Sequence, residues 1–496
     1  MFPKLSPGLI CLIAGALMPL AFSPANLFFV SLIVMSFLLL TWLNSTARDA
    51  FVSGYLFGFG MFGVGVYWLH ISINMFGGVN IVGSILATAS LVAFLSLYPG
   101  LVGYVGRRWF GQNDAVFLLI ATPALWVLAE WTRAWFLTGF PWLNLGYSQT
   151  DSFLAGLAPI FGVYGVSWLC ISSAALLTCL YRYRDQHAMK ITFAILLLSL
   201  TTWSLTKINW TSATRTNVSV ALIQAAIPQE LKWRPELRDQ SLELYMSLSA
   251  PHWKDDLIIW PETAIPAYNY RVADFIARLD KLTTTNQNTF LSGIPSKELE
   301  DRDYYNSIMM LSAGKTTWYH KQHLVPFGEY LPMKSILGVI LDFLQIPMSD
   351  FSPGLQEKPL LVTKDISIGV SICYEDTFGE EVIKALPEAN VLVNVSNDAW
   401  FGDSLAPHQH LQMARMRALE SGRYMLRATN TGISAIINEK GRIVEQSTQF
   451  EPAALSANIS LFEGSTPYVR WGNYPVIICA LFALFILLYR RNAKTN

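Results

Sequence analysis

The chain has 496 residues, of which 52% are hydrophobic and only 14% charged, with Lys+Arg and Asp+Glu balanced at 35 each. Soluble proteins carry about a quarter charged residues, so this composition excludes an ordinary soluble enzyme and points to a membrane protein. The zero formal charge provides no electrostatic footprint for nucleic acid, and no such partner is expected.

A membrane-crossing helix needs about 20 mostly apolar residues. The sequence predicts about eight, over Leu9 to Phe22, Leu27 to Trp42, Phe51 to Leu69, Ile81 to Val105, Ala115 to Trp131, Ile160 to Tyr181, Ile191 to Leu205 and Pro475 to Tyr489. The first is short and follows Lys4, as a secretion signal would, but no clean small-residue cleavage site follows it and it is read as a helix. Gly54, Gly58, Gly60, Gly63 and Gly65 in the third predict close helix packing.

If these helices alternate, Lys4, Arg48, Arg107, Arg108, Arg182, Arg184, Lys190, Arg490, Arg491 and Lys494 share one side, while the loops near 23–26, 70–80 and 134–159 carry no Lys or Arg. The positive-inside rule then places both termini in the cytoplasm, with Arg133 at a helix end as the one ambiguous basic residue. The stretch from Trp131 to Tyr147, with Trp135, Phe136, Phe140 and Trp142, reads as an aromatic belt at the outer interface.

Three regions follow: a seven-helix transmembrane region over 1–206, a globular domain over 207–473, and a C-terminal transmembrane helix with a cytoplasmic tail over 474–496. In a two-membrane bacterium this describes a multi-pass inner-membrane protein whose globular domain is periplasmic. That domain reads as α/β. Its predicted strands are Val218 to Gln224, Leu257 to Trp260, Phe290 to Gly293, Ser307 to Leu311, Ile366 to Ile372, Val391 to Val395 and Ile433 to Asn438. Helices are predicted at Glu236 to Leu248, Ala273 to Thr284 and His408 to Tyr424.

Of the five cysteines, Cys11, Cys170, Cys179 and Cys479 lie in apolar stretches and read as packing residues. Cys373 stands apart, in Ser371-Ile372-Cys373-Tyr374-Glu375-Asp376 after a β-branched run. A lone thiol at a strand end, in an oxidising compartment, suggests a nucleophile. Two further motifs follow strand-like runs: Ile258-Ile259-Trp260-Pro261-Glu262-Thr263-Ala264, and Trp318 to Tyr330 with His320-Lys321-Gln322-His323 and Pro326-Phe327-Gly328-Glu329-Tyr330. Strand ends are where α/β folds build their sites.

The order Glu262, Lys321, Cys373 in these contexts resembles the carbon–nitrogen hydrolase (nitrilase) superfamily. With seven helices before the domain and one after, the chain resembles the bacterial apolipoprotein N-acyltransferase family along essentially its whole length. Gly139-Phe140-Pro141-Trp142 and Asn397-Asp398-Ala399-Trp400-Phe401 extend the match. The resemblance implies an αββα sandwich and a Glu-Lys-Cys triad acting as an acyltransferase. A phospholipid, most simply phosphatidylethanolamine, would donate the acyl group, and a diacylglyceryl apolipoprotein would accept it.

The chemistry fits those residue types. A carboxylate at Glu262 can take the thiol proton, Cys373 attacks as thiolate, and the Lys321 ammonium, with a backbone N–H near Tyr374, can stabilise an oxyanion. The resemblance makes Glu329 a second essential carboxylate orienting Lys321, although a structural ion pair fits it as well. Tyr374 and Glu375 would shape the site; a solvated acidic edge at Glu375 and Asp376 is the alternative. Trp233 matches a functional tryptophan of the family, against plain packing. Ile336 to Ile346 reads either as an apolar membrane arm or as a core helix.

His408 and His410 fall on different helix faces with no third ligand nearby, and no nucleotide or metal motif appears, so no cofactor is expected. Arg415, Arg417 and Glu420 read as a structural ion-pair set. A membrane-bound amidase or nitrilase-type hydrolase is the rival function, and a catalytically dead scaffold is a second rival. A monomer is expected, since nothing in the sequence suggests self-association.

Overall fold

The computed structural model describes residues 6–297, 303–330 and 351–495. The segment from Ile336 to Ile346 lies outside the described residues. The chain divides into two compact units: Met1–His70, Val82–Ile208 and Arg470–Asn496 form one, while Ile71–Ile81 and Asn209–Val469 form the other.

The first unit is helical. Among the described residues, five helices are long and apolar enough to cross a membrane: Ile81–Phe110, Asp114–Arg133, Phe153–Arg182, Arg184–Leu205 and Tyr474–Arg491. The third predicted helix is instead a pair, Ala47–Gly65 and Leu69–Met75, bent by 54°. Pro7–Ala21 and Phe29–Leu43 are apolar but shorter; the 15 residues of Phe29–Leu43 rise about 22 Å, less than the ~30 Å hydrocarbon core. Gly54, Gly58 and Gly60 of Ala47–Gly65 sit at close helix contacts, as the sequence predicts, whereas Gly63 does not. A Cβ on Gly60 would strike the Leu12 carbonyl, and one on Gly54 would come within 2.6 Å of the Pro99 carbonyl oxygen.

The aromatic-belt expectation needs correcting. Trp135 and Phe136 are exposed, but Trp142 and Tyr147 are fully buried in this unit. The reason is a pair of buried charges that bind the intervening backbone. Arg133 donates to the Trp142 carbonyl and to Asn144 Oδ1. Glu130 Oε1 accepts from Leu145 N at 2.8 Å and Trp126 Nε1 at 3.0 Å. Irregular backbone in apolar surroundings is tolerated only when its polar groups find such partners.

The second unit contains two six-stranded sheets. In chain order the strands are β1 (Thr211–Gln224), β2 (Leu257–Ile259), β3 (Thr289–Lys297), β4 (Tyr304–Ser312), β5 (Lys315–His320), β6 (Leu360–Val362), β7 (Ser367–Ile372), β8 (Val391–Ser396), β9 (Met425–Thr429), β10 (Ala435–Ile437), β11 (Ile443–Gln446) and β12 (Ala453–Gly464). One sheet has the order β12-β1-β2-β3-β4-β5, the other β11-β10-β9-β8-β7-β6. In each, three parallel strands form the centre, β1-β2-β3 and β7-β8-β9, with antiparallel strands outside.

Strand alternation sorts the core into layers. Leu257 and Ile259 face Ile368, Val370, Val393 and Leu426 in one cluster between the sheets. The intervening Ile258 joins Phe290, Leu242 and Leu279 in a second cluster under the helices Arg238–Ser249 and Ala273–Asn286. Leu392, Met425 and Ala435 pack beneath the helix Leu405–Ser421 through Leu411, Ala414 and Ala418. Central strands are buried on both faces, as parallel strands require, and the result is the expected αββα sandwich. The segment Ile71–Ile81 joins this unit, where the Phe76 ring meets Trp400 edge-on at 4.7 Å.

Candidate active site

Cys373 follows β7 and opens a short turn. Its φ is +52°, the left-handed region, which non-glycine residues enter only when their surroundings hold them there. The surroundings are explicit. Asn394 Nδ2 donates to the Cys373 carbonyl at 3.2 Å. The buried Glu375 carboxylate accepts from Ile372 N at 2.7 Å, just before the cysteine. Its other oxygen accepts from Gln322 N at 2.7 Å, Tyr319 Oη at 3.0 Å and His323 N at 3.1 Å. Glu375 thus staples the segment after β5 to the cysteine turn. The solvated-edge alternative is overturned, since both Glu375 and Asp376 are buried.

Lys321, immediately after β5, is fully buried. Its Nζ lies 2.8 Å from Glu329 Oε2 and 3.8 Å from Glu262 Oε1. Asn306, near the start of β4, bridges the two acids: its Nδ2 donates to Glu262 Oε1 at 2.7 Å and to Glu329 Oε1 at 2.8 Å. Glu329 also accepts from Val325 N at 2.9 Å, which fixes its own loop. Glu262 sits in the turn after β2, followed by Thr263 at φ +47°. That turn lies tightly against Gly293 of β3, where a Cβ would collide with the backbone of Pro261, Glu262 and Thr263.

The electrostatics follow from burial and these neighbours. Burial pushes the Cys373 thiol well above the usual range, Glu262 adds to this, and Lys321 opposes it. Burial also raises Glu262, with Lys321 pulling down and Glu329 pushing up. For Lys321, burial favours the neutral amine, but Glu329, Glu262 and Cys373 together outweigh it and hold the ammonium. A thiol proton moving to Glu262 therefore shifts a negative charge from one neighbour of Lys321 to another, with no new charge created in the low-dielectric interior.

Trp233 is partly exposed, just after the helix Gln229–Lys232. Its link to the triad runs through its neighbour Lys232, whose buried Nζ donates to the Glu262 carbonyl at 3.0 Å. Burial brings Lys232 down to about 8, against the pull of Glu262. Tyr374 is half-buried, edge-on to Phe378 at 5.0 Å and to His323 at 5.7 Å. Of the ion-pair set read from the long helix, Arg417 pairs with Glu420 at 2.9 Å, and Arg415 donates to the Gly441 carbonyl. Among the described residues, no group of three or more His, Cys, Asp or Glu side chains is arranged to hold a metal ion.

Sequence reasoning missed Asn306, Lys232 and Asn394. A signal existed for Asn306: it shares an inward strand face with Ile308 and Met310, where a polar side chain needs a partner. Asn394 carries the same mark, a polar side chain inside the apolar run Val391 to Val395, whereas Lys232 carries none.

The fold and site define a carbon–nitrogen hydrolase domain. The family model described as carbon–nitrogen hydrolase matches residues 219–464, and that described as apolipoprotein N-acyltransferase N-terminal domain matches residues 14–176. A protein of Methylococcus capsulatus named apolipoprotein N-acyltransferase is 43% identical, covering 98% of this chain and 97% of its own. One of the same name from Nitrosomonas europaea is 43% identical over 94% of this chain and 93% of its own. Among solved structures, an amidase from Nesterenkonia sp. AN1 is 18% identical with a TM-score of 0.39, covering 53% of this chain and 97% of that one. The chain belongs to the apolipoprotein N-acyltransferase family, and is an acyltransferase with a nitrilase-like domain.

Proposed function

We propose that this protein transfers a fatty acyl group from a membrane phospholipid, phosphatidylethanolamine being the simplest donor, to the free α-amine of the S-diacylglyceryl-cysteine of apolipoproteins. The near full-length correspondence with relatives of that name carries this reading. Glu262 takes the Cys373 proton, and the thiolate attacks the acyl ester carbonyl, most simply at sn-1. Lys321, oriented by Glu329, stabilises the oxyanion, a contribution typically worth about 10²–10³ in rate per donor. As the tetrahedral adduct collapses, Glu262 returns the proton to the departing alkoxide. Lysophospholipid leaves and a Cys373 thioester remains. The α-amine then attacks the thioester, Glu262 accepts its proton, and the amide forms as Cys373 departs. Glu375, from its buried position, shapes the cysteine turn, while Tyr374 and Trp233 shape the approach.

The charge asymmetry of the loops supports a multi-pass inner-membrane protein with both termini cytoplasmic and this domain periplasmic. In that arrangement donor and acceptor both reach the site from the lipid phase, and a monomer suffices. Purified protein incubated with acyl-labelled phosphatidylethanolamine should acquire a hydroxylamine-sensitive label, absent in Cys373→Ala. No label on the parent would overturn the donor assignment, and label surviving in Cys373→Ala would overturn the nucleophile. Label passing only to water in the presence of acceptor would favour the hydrolase.

A further inference from the structure

Behind Cys373 lies a buried ion cluster that the triad does not use. Asp376 and Asp398 follow β7 and β8, His410 comes from the helix Leu405–Ser421, and Arg427 from β9; each is 2% exposed or less. His410 Nε2 lies 2.8 Å from Asp376 Oδ1, and its Nδ1 lies 3.1 Å from Asp398 Oδ1. Arg427 contacts the other oxygen of each acid, Asp398 Oδ2 at 2.9 Å and Asp376 Oδ2 at 3.3 Å. The cluster reaches the nucleophile through Asn394. Arg427 Nη1 donates to Asn394 Oδ1 at 2.6 Å, and Asn394 Nδ2 donates to Ser371 Oγ at 3.0 Å and to the Cys373 carbonyl at 3.2 Å.

Both ring nitrogens of His410 face carboxylate oxygens, and only an imidazolium can donate from both. A neutral ring would donate to Asp376 and accept from Arg427 Nη2, 2.9 Å from Nδ1. That state sets two carboxylates against a single guanidinium and leaves an uncompensated negative charge in the interior, which is costly. We propose that His410 is a positioning residue, held as an imidazolium between Asp376 and Asp398, and that the balanced cluster both fixes the left-handed turn at Cys373 and cancels negative charge facing its thiol. The charged groups facing Cys373 are Glu262, Lys321, Asp398 and Arg427. Those facing His410 are Asp376, Asp398 and Arg427, while His408 of the same helix also faces Asp398.

The proposal rests on Cys373 being the nucleophile, but its test requires no acyl transfer. The rate of Cys373 alkylation by iodoacetamide is measured against pH on the full-length protein in detergent, by mass spectrometry of the Cys373 peptide. His410→Gln should move the profile upward by about one pH unit, a tenfold slower alkylation at a fixed lower pH. His410→Gln combined with Asp398→Asn restores the charge balance and should return the profile toward the parent's. A His410→Gln profile that overlays the parent overturns the proposal, as does a double variant that stays shifted. If His410→Gln does not fold, the charge-balanced double variant should; failure of both means that the ring's shape and not its charge is required, which also overturns it. Loss of acyl labelling with these thiol shifts intact would count instead against the acyltransferase reading.

Discussion

The Lys321 ammonium sits 2.8 Å from Glu329 but 3.8 Å from Glu262, so the two acids that share it are not equivalent. Glu329 forms the close ion pair and Glu262 is left able to exchange a proton. Glu329→Gln should therefore leave the fold in place, because Glu262 still compensates the buried ammonium. It should slow acyl-enzyme formation by about 10²–10³, as loss of an oriented oxyanion donor does. Single-turnover labelling by phosphatidylethanolamine checks this, and a rate within about threefold of the parent's would leave Glu329 as a structural ion pair.

Gly293 is where β3 comes closest to the Glu262 turn. Gly293→Ala places a methyl group against the backbone of Pro261, Glu262 and Thr263, with no flexible side chain to yield. Overpacking of this kind costs about 1–3 kcal/mol. Any folded fraction should have a displaced Glu262 and acyl-enzyme formation slowed at least about tenfold. Thermal melting and single-turnover labelling of the same preparation separate the two effects.

Burial pushes Glu375 up to about 7, against Lys321 and the N–H groups of Ile372, Gln322 and His323. The native state thus holds this proton more tightly than the unfolded chain. The corresponding stability is fully present below about pH 4.5, is lost as pH rises to about 7, and totals about 3 kcal/mol by linkage. Glu375→Gln should abolish that slope while costing about 1–3 kcal/mol, because its amide meets the Ile372 N–H in place of an acceptor. Melting of both proteins between pH 4.5 and 7.5 gives the difference, and parallel curves would refute it.

In the helical unit, Arg133 binds two acceptors, the Trp142 carbonyl and Asn144 Oδ1, with separate guanidinium nitrogens. Lysine keeps the charge but loses the fork. Arg133→Lys should cost about 1–3 kcal/mol through the stranded acceptors. The loss should be seen in the detergent melting temperature and as faster protease cleavage within residues 139–147 than in the parent.

Much of this protein is legible in consecutive residues. The apolar runs of the helical unit, the β-branched run ending at Ile372, and the isolation of Cys373 from the other cysteines are all local patterns. Helix and strand periodicity is written in neighbouring positions, so β7, predicted from Ile366, begins at Ser367. Strand β5 escaped because its first three residues are exposed and polar, and β11 because it is an exposed edge; neither shows an alternation to read. The three motifs named Glu262, Lys321 and Cys373, but not the partners that hold them.

Tertiary structure alone decided those partners. Asn306 meets Glu262 across 44 residues of chain because β2 and β4 flank β3 in one sheet, and Tyr319 meets Glu375 across 56 because the two sheets pack together. The same packing settled Glu375, read as shaping the site or as a solvated edge, as a buried staple, and the helix Leu405–Ser421 placed His410 between Asp376 and Asp398. Buried polar groups must be satisfied wherever the fold puts them. Which group satisfies which depends on the order of strands in each sheet and on how the sheets and helices pack, and no single segment of the sequence encodes that.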